Sequence, residues 1–262
     1  MRSVLRNLVT FTLATLALST CTFLPPIERS DMNVRVLTYN IHHAEGMDGT
    51  VDLERIAQVI RSQAPDLVFL QEIDRGMERS GKLDQVEQLA RSTGMLPSFL
   101  PTLEFDPGQY GILLLSRWPA HRVRHHPMPS SGEARGLLEV QFETLTVFVT
   151  HLDHQSTTHR QESADLINQI MQDRPNELAI LGGDLNAEPG SDPIISLLRE
   201  WRSVSDDAYL STYPADQPSR QLDYLMVRPR YRWNVRQVEV LDEAVASDHR
   251  PLMADLELVH DV

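Results

Sequence analysis

Cysteine is nearly absent from this sequence: Cys21 is the only one in 262 residues. No intrachain disulfide can form, and no thiolate cluster is available to hold a soft metal ion. Basic residues are also few, 24 Lys and Arg against 37 Asp and Glu, which gives a formal net charge of −13. A chain so acidic repels polyanions at long range, so broad nucleic-acid binding is not expected. Fixed-period repeats and low-complexity tracts are missing, which excludes solenoid and disordered architectures. Long uncharged runs are equally scarce. The one at the start, Leu8 to Leu24, follows Arg2 and Arg6 and is broken by Pro25 and Pro26.

That run is short for a membrane span, and its basic start fits a signal peptide over residues 1–20. Cys21, directly after it, sits where bacterial lipoproteins carry their acylated cysteine. Thr20 departs from the small residue usual before such a cysteine, so ordinary signal-peptidase cleavage is the other reading. Either way the chain is expected to be exported: periplasmic, membrane-anchored through an acylated Cys21, or secreted. Residues 21–32 read as a linker and 33–262 as one domain, long enough for a full core and expected to be a monomer.

Hydrophobic periodicity places the elements. In "NVRVLTYNI", Val34, Val36 and Thr38 share one face of a strand. Asp52 caps a helix whose stripe is Leu53, Ile56, Ala57 and Ile60, and Pro65 ends it. "DLVFLQE" is a buried strand, and a second helix spans about 83–93 up to Gly94. Four β-rich runs follow: "YGILLLS", "HRVRHHPM", "GLLEVQF" and "TLTVFVTHL". Thr158 opens a helix to about Asp173, with Gln161 completing a capping box. "ELAILGGD", a short helix after Pro193, and the strands "LDYLMV", "WNVRQVEVL" and "PLMADLELV" complete the chain. Mixed strands with helices between them point to two packed sheets with helices outside.

Nearly every core strand carries a carboxylate, amide or imidazole at one edge: Asn40, Glu72, His151, Asp184 with Asn186, Asp223, and Asp248 with His249. Strand-end loops are where rigid scaffolds present function. Oxygen donors without thiolates suit a hard cation, Mg²⁺ with Mn²⁺ as the alternative, able to polarise a phosphoryl oxygen. Imidazoles and carboxylates beside it supply proton transfer and charge stabilisation. Each residue alone is a weak signal: a lone carboxylate at a strand end is more often a solvated cap or turn residue, and a lone histidine is usually structural. In "GGDLN", residues two apart on a strand face the same side, so Asp184 and Asn186 can address one ligand.

Taken in order, "TYNIH", "LQEID", "GILLLSRWP", "ARG", "THLDH", "GGDLNAEP", "LDYLMV" and "SDHRPL" resemble the endonuclease/exonuclease/phosphatase superfamily, which includes deoxyribonuclease I. They span about residues 34–258. The resemblance implies a four-layer α/β sandwich of two packed mixed β-sheets with helices on the outer faces. It implies metal binding by Glu72, with Asn40 and Asp248 contributing. Asp184 would align or deprotonate the attacking water, and Asn186 would hold that water or the phosphate. His249 would contact the scissile phosphate with Asp223 orienting its ring; His151 would be a second catalytic histidine and Arg135 a phosphate contact. Ile112 departs from the asparagine that many relatives carry there. His42, His43, Asp153 and His154 read as supporting or solvent-facing groups. Arg79 and Asp84, in "RSGKLDQ", are rim candidates, or else a solvated loop and a helix cap.

The substrate is less constrained. "RPRYRWNVR" (228–236) is the best basic, aromatic stretch, yet it also reads as a half-buried strand with arginines outward. The expected function is therefore an exported metal-dependent phosphoesterase acting on a small molecule or a lipid headgroup. A secreted nuclease is the alternative, and a silent binding module of the same fold the third reading.

Overall fold

The computed structural model describes residues 33–206 and 208–259. The expected signal peptide, Cys21 and the linker lie outside the described residues. Among the described residues, no helix is long and apolar enough to cross a membrane.

Two six-stranded sheets form the centre. The first contains β1 (Asn33–Asn40), β2 (Leu67–Arg75), β3 (Leu96–Glu104), β4 (Gln109–Ser116), β11 (Trp233–Val240) and β12 (Leu252–Leu258), in the order β11-β12-β1-β2-β4-β3. The second contains β5 (Arg122–Met128), β6 (Arg135–Gln141), β7 (Thr146–His151), β8 (Ala179–Asp184), β9 (Arg202–Ser203) and β10 (Asp223–Arg228), in the order β5-β6-β7-β8-β10-β9. Within these mixed sheets β1 runs parallel to β2 and β7 parallel to β8.

Period-2 alternation sorts the side chains into layers. Val34 and Val36 of β1 turn into the core between the sheets, where they meet Phe69, Leu114, Val149 and Leu225. The opposite face of β1, Leu37 and Tyr39, packs under α1 (Leu53–Gln63) and α2 (Gln85–Thr93). On the far side, α3 (Thr157–Met171) and α4 (Asp192–Glu200) cover Phe148 and Leu181 of the second sheet. The four layers follow from this burial, each large aliphatic side chain contributing roughly 1.5–3 kcal/mol.

The helix ends show where local chemistry decided. Asp52 accepts from Arg55 N and caps α1, while Ala64 turns left-handed ahead of Pro65. α3 begins one residue earlier than expected, because Ser156 accepts from His159 N. Gln161 makes no capping box; it donates to Asp165 instead. The strand "LPSFLPTLE" carries Pro97 and Pro101, which hid it from a pattern reading; it lies at a sheet edge, where a missing N–H is tolerated. Ile112 is buried in the core between the sheets. The arginine-rich stretch is not one alternating strand. Arg228 ends β10 buried against the Trp201 ring, Tyr231 is 67% exposed in a short 3-10 turn, and β11 starts only at Trp233.

Candidate active site

One edge of the second sheet places three candidate residues in a row. His151 is the register partner of Asp184 across the parallel β7–β8 pair, and Asp223 is its partner across the antiparallel β8–β10 pair. The two glycines before Asp184 permit this close assembly. A Cβ on Gly182 would meet Phe69 and Leu225 at 2.6 and 2.7 Å, and one on Gly183, at φ +141°, would lie 1.9 Å from the Thr150 carbonyl oxygen. β8 ends at Asp184, so strand alternation does not place Asn186. Its left-handed backbone (φ 48°) turns it toward the same cavity, where its N–H donates to Asp184 and its amide to the Leu152 carbonyl. Asparagine tolerates that conformation better than most residues.

The first sheet supplies the opposing half. Asn40 ends β1, and Glu72 sits in a β-bulge of β2 with φ 63°. A bulge re-aims the side chain out of the pleat, and a left-handed non-glycine residue marks strain held by its surroundings. Asn40 Nδ2 donates to Glu72 Oε1 at 3.0 Å and to Asp184 Oδ2 at 3.1 Å, joining the two sheets. In the loop before β12, Ser247 donates to the Asn40 carbonyl oxygen and holds the start of "SDH" against β1.

His249 stands over Asp184, its Nε2 3.7 Å from Oδ2, while Nδ1 lies 2.8 Å from Asp223 Oδ2. Thr212 donates to the same Asp223 oxygen at 2.6 Å. His151 approaches Asp184 from the other side, 3.5 Å away. Charge sets the two histidines apart. Burial alone would lower His249, but the Asp223 and Asp184 carboxylates raise it to about 10, so it stays an imidazolium at neutral pH. Burial, with Arg135 nearby, pushes His151 well below the ordinary histidine range and leaves it neutral. Burial also lifts the Asp184 carboxyl above the usual carboxylate range, against the pull of His249.

These groups open into a cavity of about 570 Å³ that is lined by Asn40, Glu72, Arg135, His151, Asp184, Asn186, Asp248 and His249. Asp223 lies behind it, buried and reaching the cavity through His249. Arg135 donates to Glu133 and contacts His151 and His154. His154 therefore lines the cavity, as do Arg160 and Arg220, which the sequence reading did not single out. Arg79 reaches the cavity wall and is gripped by Asp74 at 2.7 and 2.8 Å. Asp84 does not: it caps α2 and pairs with Arg75. Asp153 is buried and accepts from Ser131, Gln155 and Ser156, fixing the turn into α3. Arg160 lies on α3 and Arg220 in an irregular stretch, neither with a periodicity of its own, which is why no pattern announced them.

The donor set fits a divalent cation. Glu72 and Asp248 face the cavity with Asn40 beside them, and His151, Asp184 and His249 lie within reach for proton transfer. Comparison with known proteins agrees. The profile of the Endonuclease/Exonuclease/phosphatase family, whose members are divalent-metal-dependent phosphoesterases, matches residues 37–249. The chain is 29% identical over 180 residues to protein cwh43 of Schizosaccharomyces pombe, covering 66% of this chain and 18% of that protein. It is 26% identical over 165 residues to a 5'-tyrosyl-DNA phosphodiesterase of Caenorhabditis elegans, covering 58% of this chain and 42% of that one. The chain thus spans less than half the length of these two relatives. A mannosyl-6-phosphatase from Bacteroides thetaiotaomicron superimposes with a TM-score of 0.68 at 19% identity, over 87% of this chain and 100% of that one. The chain belongs to the endonuclease/exonuclease/phosphatase family.

Proposed function

We propose that the protein is an exported, Mg²⁺-dependent phosphoesterase that hydrolyses the phosphate ester of a small molecule or a lipid headgroup, acting as a monomer. The observation that carries this reading is the Asn40 amide joining the Glu72 and Asp184 carboxylates on the floor of a cavity edged by Arg79, Arg135, Arg160 and Arg220. On so acidic a chain, a local concentration of arginines inside a concavity favours an anionic ligand of limited size. Relatives act on both ester types: one is named a phosphodiesterase on tyrosyl-DNA, another a phosphatase of a mannosyl 6-phosphate.

Glu72 and Asp248, with Asn40, would hold the cation, which when bound polarises a phosphoryl oxygen and neutralises charge on the leaving group. Asp184 orients the attacking water and takes its proton, a task suited to a carboxyl raised toward neutrality. Asn186, fixed to Asp184 and Leu152, positions that water or a phosphoryl oxygen. His249, held as imidazolium by Asp223, donates to the phosphoryl or leaving oxygen. Neutral His151 and Arg135 complete the contacts to the phosphate.

A substrate panel tests this reading: an aryl phosphomonoester, an aryl phosphodiester, a hexose 6-phosphate, sphingomyelin vesicles and plasmid DNA, each with Mg²⁺ and with chelator. Turnover of one of the first four, abolished by chelator, is expected. Cleavage confined to DNA, falling steeply with salt, would establish the nuclease instead. Inertness toward the whole panel across metals would favour a silent module.

A further inference from the structure

A second group of ligating atoms joins Glu72 of the cavity wall to two histidines that do not line it. One ring nitrogen each of His42 and His43 and a carboxylate oxygen of Glu72 all lie within 4.8 Å of one another. We propose that His42, His43 and Glu72 form a nitrogen-rich site for a transition-metal ion such as Zn²⁺, Co²⁺ or Mn²⁺, separate from the oxygen-lined Mg²⁺ position and sharing Glu72 with it. The proposal is independent of which ester the enzyme cleaves.

Three observations support it. First, the donor set is two imidazoles and one carboxylate. Zn²⁺ accepts that combination with a further position left open, while Mg²⁺ strongly prefers oxygen. Second, His43 is 5% exposed, and its Nδ1 has no hydrogen-bond partner although Nε2 meets Glu45. A buried polar atom without a partner is costly, and an ion is one way to satisfy it. Third, the group is anchored from behind. Gln85, fully buried on α2, donates to the His43 carbonyl oxygen at 2.8 Å and accepts from Asp74 N at 2.9 Å, tying the histidine turn to the strand that bears Glu72. The turn itself holds His42, His43 and Ala44 at φ 45°, 43° and 67°. Metal–ligand bonds of roughly 2.1 Å place tetrahedral ligand atoms about 3.4 Å apart, so a small inward shift closes the set. Glu72 Oε1 is engaged by Asn40, and its second oxygen allows one carboxylate to serve both positions.

The test uses the full chain, stripped with chelator and titrated with Co²⁺ under saturating Mg²⁺. One equivalent of Co²⁺ retained against Mg²⁺, with X-ray absorption showing two imidazole nitrogens, is expected. His42→Asn and His43→Asn, chosen because asparagine tolerates positive φ, should each weaken Co²⁺ binding by more than the roughly 10–100-fold typical of changes behind a metal ligand. No Co²⁺ retained against Mg²⁺, an oxygen-only coordination shell in the unaltered protein, or undiminished binding by both variants with native circular dichroism would each overturn the site. A variant that fails to fold leaves the spectrum of the unaltered protein to decide. Turnover in Mg²⁺ alone is measured separately, so loss of this site and loss of the phosphoesterase reading give different results.

Discussion

Nδ1 of His249 lies 2.8 Å from Oδ2 of Asp223, with both side chains shut away from solvent. A charged imidazole buried this deeply persists only because carboxylates flank it. Its folded pKa, raised from 6.5 to about 10, stabilises the fold below pH 6.5, and that contribution is lost as pH rises through 10. Asp223→Asn removes the partner carboxylate and lowers this pKa. Activity should drop roughly 10²–10⁴-fold, and the alkaline limb of the pH–rate profile should move to lower pH. An unmoved limb would mean that His249 is not the acid.

Glu72→Gln preserves shape and keeps an oxygen for the Asn40 donor, but it removes the charge that holds a cation. Turnover with Mg²⁺ should fall by well over the roughly 100-fold seen for changes behind a metal ligand, with circular dichroism and Tm little changed. A rate near that of the unaltered protein would sink the assignment.

Gly183→Ala meets backbone that cannot move aside, the Thr150 carbonyl oxygen at 1.9 Å, from a left-handed φ. A loss of at least about 3 kcal/mol in urea unfolding is expected. Gly190→Ala faces open space at φ +85°, so its cost should be near 1 kcal/mol, from conformation alone.

Glu139 of β6 has no exposed surface and binds Arg124, His126 and Arg174. Burial opposes its ionisation, but Arg174, His126 and Arg124 overcome that and hold its carboxyl below the ordinary value of 4.5. It therefore adds stability above pH 4.5, and that stability is lost as pH falls through the lower folded value. Glu139→Ala should cost about 3 kcal/mol at neutral pH, since its cationic partners keep some solvent. In urea titrations the deficit should shrink on acidification, and a deficit independent of pH would rule out the ionic cause.

Much of this was legible in the sequence because it depends on local spacing. The stripe Leu53, Ile56, Ala57 and Ile60, the alternation of Val34 and Val36, and the polar strand ends all obey periods of 3.6 or 2. The polar ends proved to converge because parallel and antiparallel registers align His151, Asp184 and Asp223 in one row. Long-range pairing of that kind has no local signature. Nor do the bulge that turns Glu72 outward or the left-handed turn at Asn186, which reach the cavity by breaking strand geometry. Pro97 and Pro101 argued against a strand that edge position makes acceptable.

The Asn40–Asp184 hydrogen bond crosses from one sheet to the other, and neither sheet carries a whole site. Turnover is therefore a gauge of how the two halves are docked. A slip of one sheet by a fraction of a bond length opens that contact while every strand remains intact. Phe69→Ala, which hollows the layer between them beneath Gly182, should show this: activity lost at denaturant concentrations where circular dichroism still reports a folded chain. The enzyme would fail first as a seam and only later as a fold.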